Sequence, residues 1–189
     1  MAKILAFAGS ARKDSVNKKL VALAAERARA AGAEVTLVDL ADYRMPLYDG
    51  DLESEGGIPE AAQRLKALFK EHDALLISCP EYNSSITPLL KNTIDWLSRA
   101  EGDEKPLAAY SGKTAALLAA SPGGLGGLRG LVHVRAILGN IGVTVVPSQL
   151  ALSKAFAAFG EGKLNDERMD GMLTSVVNEL VTTTNKLSS

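Results

Sequence analysis

Ser10, Arg12, Ser15 and Asn17 crowd into the stretch GSARKDSVNKKL, which follows the apolar run KILAFA and opens an amphipathic helical pattern. A helix amino end carries unpaired N–H groups and a partial positive charge, so an anion placed there is stabilised. Short hydroxyl and amide donors and one forked guanidinium add side-chain contacts to such a site. The stretch lacks the second glycine and the lysine-serine pair of a P-loop, which argues against a nucleoside triphosphate. Gly9 is its only glycine, and a dinucleotide pyrophosphate needs several to approach the backbone. What remains is a compact terminal phosphate, such as the one FMN carries. Asp39, at the end of the run EVTLVDL, then reads as a strand-end or capping residue and not as a ribose ligand.

Two further groups could meet the same ligand. In CPEYNSSITPLLKNTIDWLSR, Cys79 to Arg99, Pro80 stiffens the chain, Tyr82 offers an apolar body with a polar tip, and Asn83, Ser84 and Ser85 offer hydrogen bonds. The group can wall a flat heterocycle, or it can be a turn with capping residues. In SPGGLGGLRG, Ser121 to Gly130, glycines let backbone approach a ligand closely. Cys79 is the only cysteine; a small buried apolar role suits it better than a redox thiol. His72 and His133 show no metal-ligand spacing, and neither a metal site nor a catalytic triad is expected.

These groups need a scaffold. Short apolar runs, KILAFA, EVTLVDL, DALLIS, KTAALLAAS and VTVVPS, alternate with helical patterns. Continuous hydrophobicity marks strands covered on both faces. Val16, Leu20 and Leu23 repeat at helical spacing, as do Ala61, Leu65 and Leu68, and Leu90, Ile94 and Leu97; segments 125–141 and 166–187 complete five helices. Strand-helix order repeated five times, with right-handed crossovers, gives an α/β doubly wound five-stranded parallel sheet with helices on both faces. Ligands then bind at the carboxyl ends of the strands, where the loops after runs one, three and four converge. One domain over residues 1–189 is expected from this length. The long connection from Ala41 to Pro59 reads as a binding rim or a mobile acidic loop. A second excursion, RAEGDEKPLAAYSG, precedes the fourth strand. Trp96 and the helix around Leu131 read as core or as a contact between copies.

With 21 Lys plus Arg against 22 Asp plus Glu, no basic field invites nucleic acid. No stretch approaches the roughly 20 apolar residues that span a bilayer, and the amino-terminal run is too short for a signal peptide. The expected location is cytoplasmic, which a lone cysteine suits.

The stretches GSARKDSVNKKL, PEYNSSITPLLKNTIDWLSR and KPLAAYSGKTAALLAASPGGLGGLRGL together resemble the NADPH-dependent FMN reductases of flavodoxin-like fold, which include bacterial quinone, chromate and azo-dye reductases. The resemblance runs from about Lys3 into the fifth strand. It implies tightly bound, non-covalent FMN, with Ser10, Arg12, Ser15 and Asn17 around its phosphate. It also implies Pro80, Glu81, Tyr82 and Asn83 along the isoalloxazine, and Ser121, Gly123 and Gly124 on the opposite side. NADPH or NADH would supply hydride, a small-molecule acceptor such as a quinone, flavin, chromate, azo or nitro compound would receive it, and the chain would form a homodimer or homotetramer. No catalytic acid or base need be named, because the cofactor carries the chemistry. The rival readings are a single-electron carrier of flavodoxin type and a redox module that binds FMN without turnover. A carrier is expected to be strongly acidic and aromatic around its flavin; here the net charge is -1 and 5% of residues are aromatic.

Overall fold

The computed structural model describes residues 1–187. Five parallel strands, β1 (Lys3–Ala8), β2 (Glu34–Val38), β3 (Ala74–Ser78), β4 (Thr114–Ala120) and β5 (Thr144–Leu152), lie in the order β2-β1-β3-β4-β5. This is the flavodoxin-like order, and its winding reverses between β1 and β3, where a crevice opens at the carboxyl ends. Every residue of β3 and β4 is buried, as their uninterrupted apolar sequences require. The edge strands β2 and β5 are partly exposed. Within β5, Pro147 cannot donate to a ladder, and the β4–β5 register slips between Ala115 and Leu117.

Six helices flank the sheet: α1 (Val16–Ala30), α2 (Gly50–Gly56), α3 (Glu60–Glu71), α4 (Pro88–Leu97), α5 (Leu128–Asn140) and α6 (Glu167–Leu187). Leu20, Val21 and Ala24 of α1 and Leu173, Val177 and Leu180 of α6 form one core with Ile4, Ala6 and Leu76 of the sheet. Leu65 and Phe69 of α3, Ile94 and Trp96 of α4, and Leu131 and Val134 of α5 form the other with Leu5, Leu75 and Leu117. Alternate residues of each strand therefore feed opposite layers.

The connection from Ala41 to Pro59 is neither a bare rim nor a free loop. It carries α2 and is fastened to α4: Tyr48 N–H donates to Asn92 Oδ1 at 2.7 Å, while Asn92 Nδ2 and Trp96 Nε1 donate to Pro46 O at 2.9 and 2.8 Å. Trp96 and Leu131 are both fully buried within the chain, so neither is available as a contact between copies. Helix α5 starts at Leu128, later than its apolar pattern suggests, because Gly126 and Gly127 hold φ of +64° and +91°. A Cβ at Gly126 would lie 2.6 Å from the Ala151 carbonyl carbon, and one at Gly127 2.8 Å from Ala119 Cβ. The backbone here needs glycine both for its left-handed conformation and for its approach to β4 and β5.

Candidate functional site

At the crevice, Ser10, Arg12, Ser15 and Asn17 after β1, Pro80, Glu81 and Tyr82 after β3, and Ser121 after β4 line one cavity of about 100 Å³. Asn83, Gly123 and Gly124 lie beside these residues in the same loops. The three stretches singled out in the sequence are thus brought together. A cleft of about 420 Å³ between α1 and the β2 edge is larger, but its one cation is already paired. Lys18 Nζ pairs with Asp39 at 2.5 Å, and Asp39 accepts from Ala41 N–H at 2.9 Å. Asp39 is therefore a capping residue.

The first loop keeps its donors uncommitted. Ser15 occupies the cap position of α1 with extended backbone, yet its side chain makes no capping hydrogen bond. The N–H groups of the first turn have no intrahelical acceptors. Ser10 and Ser15 are buried; Ser10 Oγ accepts from Arg12 N–H at 3.3 Å, and its own hydrogen remains to be given. The Arg12 guanidinium makes no ion pair or hydrogen bond with any described residue. Buried hydroxyls, helix N–H groups and a free guanidinium form the donor set that a phosphate dianion matches.

Asn17 plays a different part. Its Oδ1 accepts from Ser78 Oγ and from Ala120 N–H, both at 2.9 Å, and its Nδ2 donates to Ala120 O at 2.8 Å. The side chain fastens the start of α1 to the ends of β3 and β4. What Asn17 offers an anion directly is its backbone N–H. Thr87, which the sequence did not single out, makes a similar tie: its hydroxyl donates to Gly9 O at 2.7 Å and accepts from Leu90 N–H at 3.2 Å. Neither Ser78 nor Thr87 stands out in the sequence, because a lone hydroxyl at a strand end or helix start carries no local signal of its distant partner.

The second loop folds back as a tight hairpin. Tyr82 and Ser85 exchange N–H···O bonds of 3.0 Å each way, and Asn83 and Ser84 between them take φ of +50° and +69°. Tyr82 is half exposed at this edge. The Glu81 carboxylate turns toward α5: its Oε1 accepts from Arg129 Nε and Nη2 at 3.0 and 2.6 Å, and its Oε2 from Gly130 N–H at 3.0 Å. Burial pushes its carboxyl up, but the Gly130 and Arg129 donors together outweigh that and hold it below the usual range. In the third loop, nothing but Ser121 Oγ lies within 4 Å of a Cβ added at Gly123, and nothing at all at Gly124. The chain's own packing does not demand glycine there, whereas close approach of a ligand would.

Cys79 is fully buried, and burial pushes its thiol far above the usual range, so it is an apolar core residue as read from the sequence. His72 is buried between Leu68 O and Thr36 Oγ1, at 2.6 and 2.8 Å. His133 meets Ser85 Oγ at 2.9 Å. Among the described residues no cluster could hold a metal ion.

The fold and this phosphate-ready crevice define a flavodoxin-like mononucleotide-binding protein. The family model for NADPH-dependent FMN reductases matches residues 2–157. An NAD(P)H-dependent FMN reductase of Pseudomonas aeruginosa is 35% identical over 168 residues, spanning 88% of this chain and 86% of that protein. A quinone reductase of Escherichia coli K12 is 39% identical over 137 residues, 72% and 69% of the two chains. The solved structure of FerB, a flavoenzyme NAD(P)H:(acceptor) oxidoreductase from Paracoccus denitrificans, superposes with a TM-score of 0.82 at 28% identity, covering 98% of each chain. The chain belongs to the NADPH-dependent FMN reductase family. FMN as cofactor and NAD(P)H as reductant come with that membership.

Proposed function

We propose that the chain passes hydride from NAD(P)H by way of FMN to a small acceptor of quinone or flavin type, with both substrates using the one crevice in turn. The observation that carries this reading is the set of uncommitted donors at the α1 amino end, which shares one cavity with the loops after β3 and β4. FMN, when bound, supplies the hydride-accepting and hydride-donating centre. The protein's part is to bind, orient and shield. The N–H groups of the first turn of α1, the hydroxyls of Ser10 and Ser15 and the Arg12 guanidinium would hold the phosphate. Pro80, Tyr82 and Asn83 would stand along the ring system, and Gly123 and Gly124 would leave room for its approach. N–H groups of the loop after Cys79 are fixed donors that can stabilise negative charge without reorganising.

A single small domain with no second nucleotide fold supports alternation of donor and acceptor. Steady-state kinetics with NADPH and a quinone should give parallel double-reciprocal lines; intersecting lines would show both bound at once.

A second copy is the best partner for the outer face of α5, where Leu128 and Val132 lie one turn apart and remain 42% and 59% exposed, with Leu125 of the preceding turn 53% exposed beside them in sequence. Light scattering should show a dimer or tetramer that Val132→Glu weakens; a monomeric parent would contradict this. No helix among the described residues is long and apolar enough to cross a membrane. A reducing cytoplasm, where NADPH is available, suits the activity.

A further inference from the structure

The β3–α4 loop that borders the crevice is held from α5, a helix that contributes no residue to the cavity lining. We infer that Glu81 is a positioning residue, acting through Arg129 and Gly130 of α5, and that the first turns of α5 set the place of the Tyr82–Ser85 hairpin and through it the affinity for FMN. This rests on FMN being the cofactor and concerns the residues that shape its site.

Three observations converge. First, the Glu81 side chain is only 9% exposed, and both of its oxygens are occupied by α5 donors, Oε1 by the Arg129 guanidinium and Oε2 by Gly130 N–H. A carboxylate so occupied has little left to offer a ligand, and next to a phosphate its charge would repel. At the amino end of α5 the same charge meets a helix N–H and the favourable end of the helix dipole. Second, a Cβ on Gly130 would stand 3.3 Å from Ser85 O and 3.4 Å from Glu81 Cβ. The helix and the hairpin therefore meet across a glycine where a methyl group would fit only if Ser85 O gave way by a few tenths of an ångström. Third, Ser85 Oγ and His133 Nδ1, one turn further along α5, are 2.9 Å apart. Glu81, just before the hairpin, and Ser85, at its end, are thus both attached to one rigid element. Between them Asn83 and Ser84 hold left-handed conformations that a free loop of these residues would leave.

The same contacts could exist only to stabilise the fold, and Gly130→Ala separates the two roles. Alanine is the better helix former, so the substitution favours α5 itself while pushing Ser85 O and Glu81 by a few tenths of an ångström. The prediction is that the full-length Gly130→Ala chain keeps or raises the thermal midpoint of its FMN-free form, while its FMN Kd, read by fluorescence quenching, rises about tenfold, the scale of one lost hydrogen bond. A Glu81→Gln and Arg129→Ala cycle gives the second reading. If Glu81 acts through Arg129, the double variant binds FMN about as well as the weaker single one. Fully additive losses, or a Gly130→Ala chain that binds FMN like the parent, would overturn the inference. Should Gly130→Ala fail to fold, the cycle alone decides. A parent chain that binds no FMN would instead refute the reading on which the inference rests.

Discussion

Arg12 and Asn17 sit on one loop and are both polar, yet they should fail differently when removed. Arg12 makes no contact within the chain that would hold its guanidinium, so Arg12→Ala should leave the FMN-free protein as stable as its parent and weaken FMN by about 1.5 to 3 kcal/mol, the range for a charge-assisted hydrogen bond. Asn17 is buried and makes three hydrogen bonds to the ends of β3 and β4. Asn17→Ala should therefore lower the stability of the FMN-free protein itself by about 1 to 3 kcal/mol, because Ala120 loses both its backbone partners. Parallel thermal melts and FMN titrations of the two variants check this; an Asn17→Ala chain as stable as the parent would contradict the clamp. The residue types of the phosphate loop were legible in the sequence because a helix amino end, two serines and an arginine form a local pattern. The destination of the Asn17 amide was not, since Ala120 lies far along the chain and only the parallel pairing of β3 with β4 brings it near. The same is true of Glu81, which the family resemblance placed along the flavin and whose partners are on α5.

At the scale of elements, all five strands and five of the six helices follow from apolar runs and helical spacing. Helix α2 does not, because it buries no residue and shows no apolar periodicity to read. Its stretch is ordered by polar contacts instead: Glu53 accepts from Tyr48 Oη and from Arg99 Nε, both at 2.9 Å. The Tyr82–Ser85 hairpin was equally hidden, since its two left-handed positions are filled by Asn83 and Ser84 where a tight turn usually shows glycine. Left-handed backbone costs a non-glycine residue about 1 to 2 kcal/mol, so Ser84→Gly should hold or raise the thermal midpoint and Ser84→Val should lower it. A midpoint indifferent to both would mean that the turn carries no strain.

For the molecule as a whole, the long excursion before β4 is tied down by charge. Glu104 accepts from both Lys66 and Lys70, and these two ammonium groups hold its carboxyl at about 2. Its pKa is lower folded than unfolded, where a glutamate titrates near 4.3. The tie therefore contributes fully above that value and is lost as pH falls toward 2. Glu104→Gln should melt below the parent at neutral pH, with the gap closing over that acid range; a gap that persists below it would contradict the sign. The central claim, a crevice that binds FMN and opens it to a nicotinamide donor, is tested most directly by one anaerobic experiment. The purified chain, reconstituted with FMN, is treated with NADPH while its visible absorption is followed. The FMN spectrum should bleach on addition of NADPH and return when a quinone is added. A chain that takes up no FMN, or one whose bound FMN keeps its oxidised spectrum with both NADPH and NADH, would contradict it.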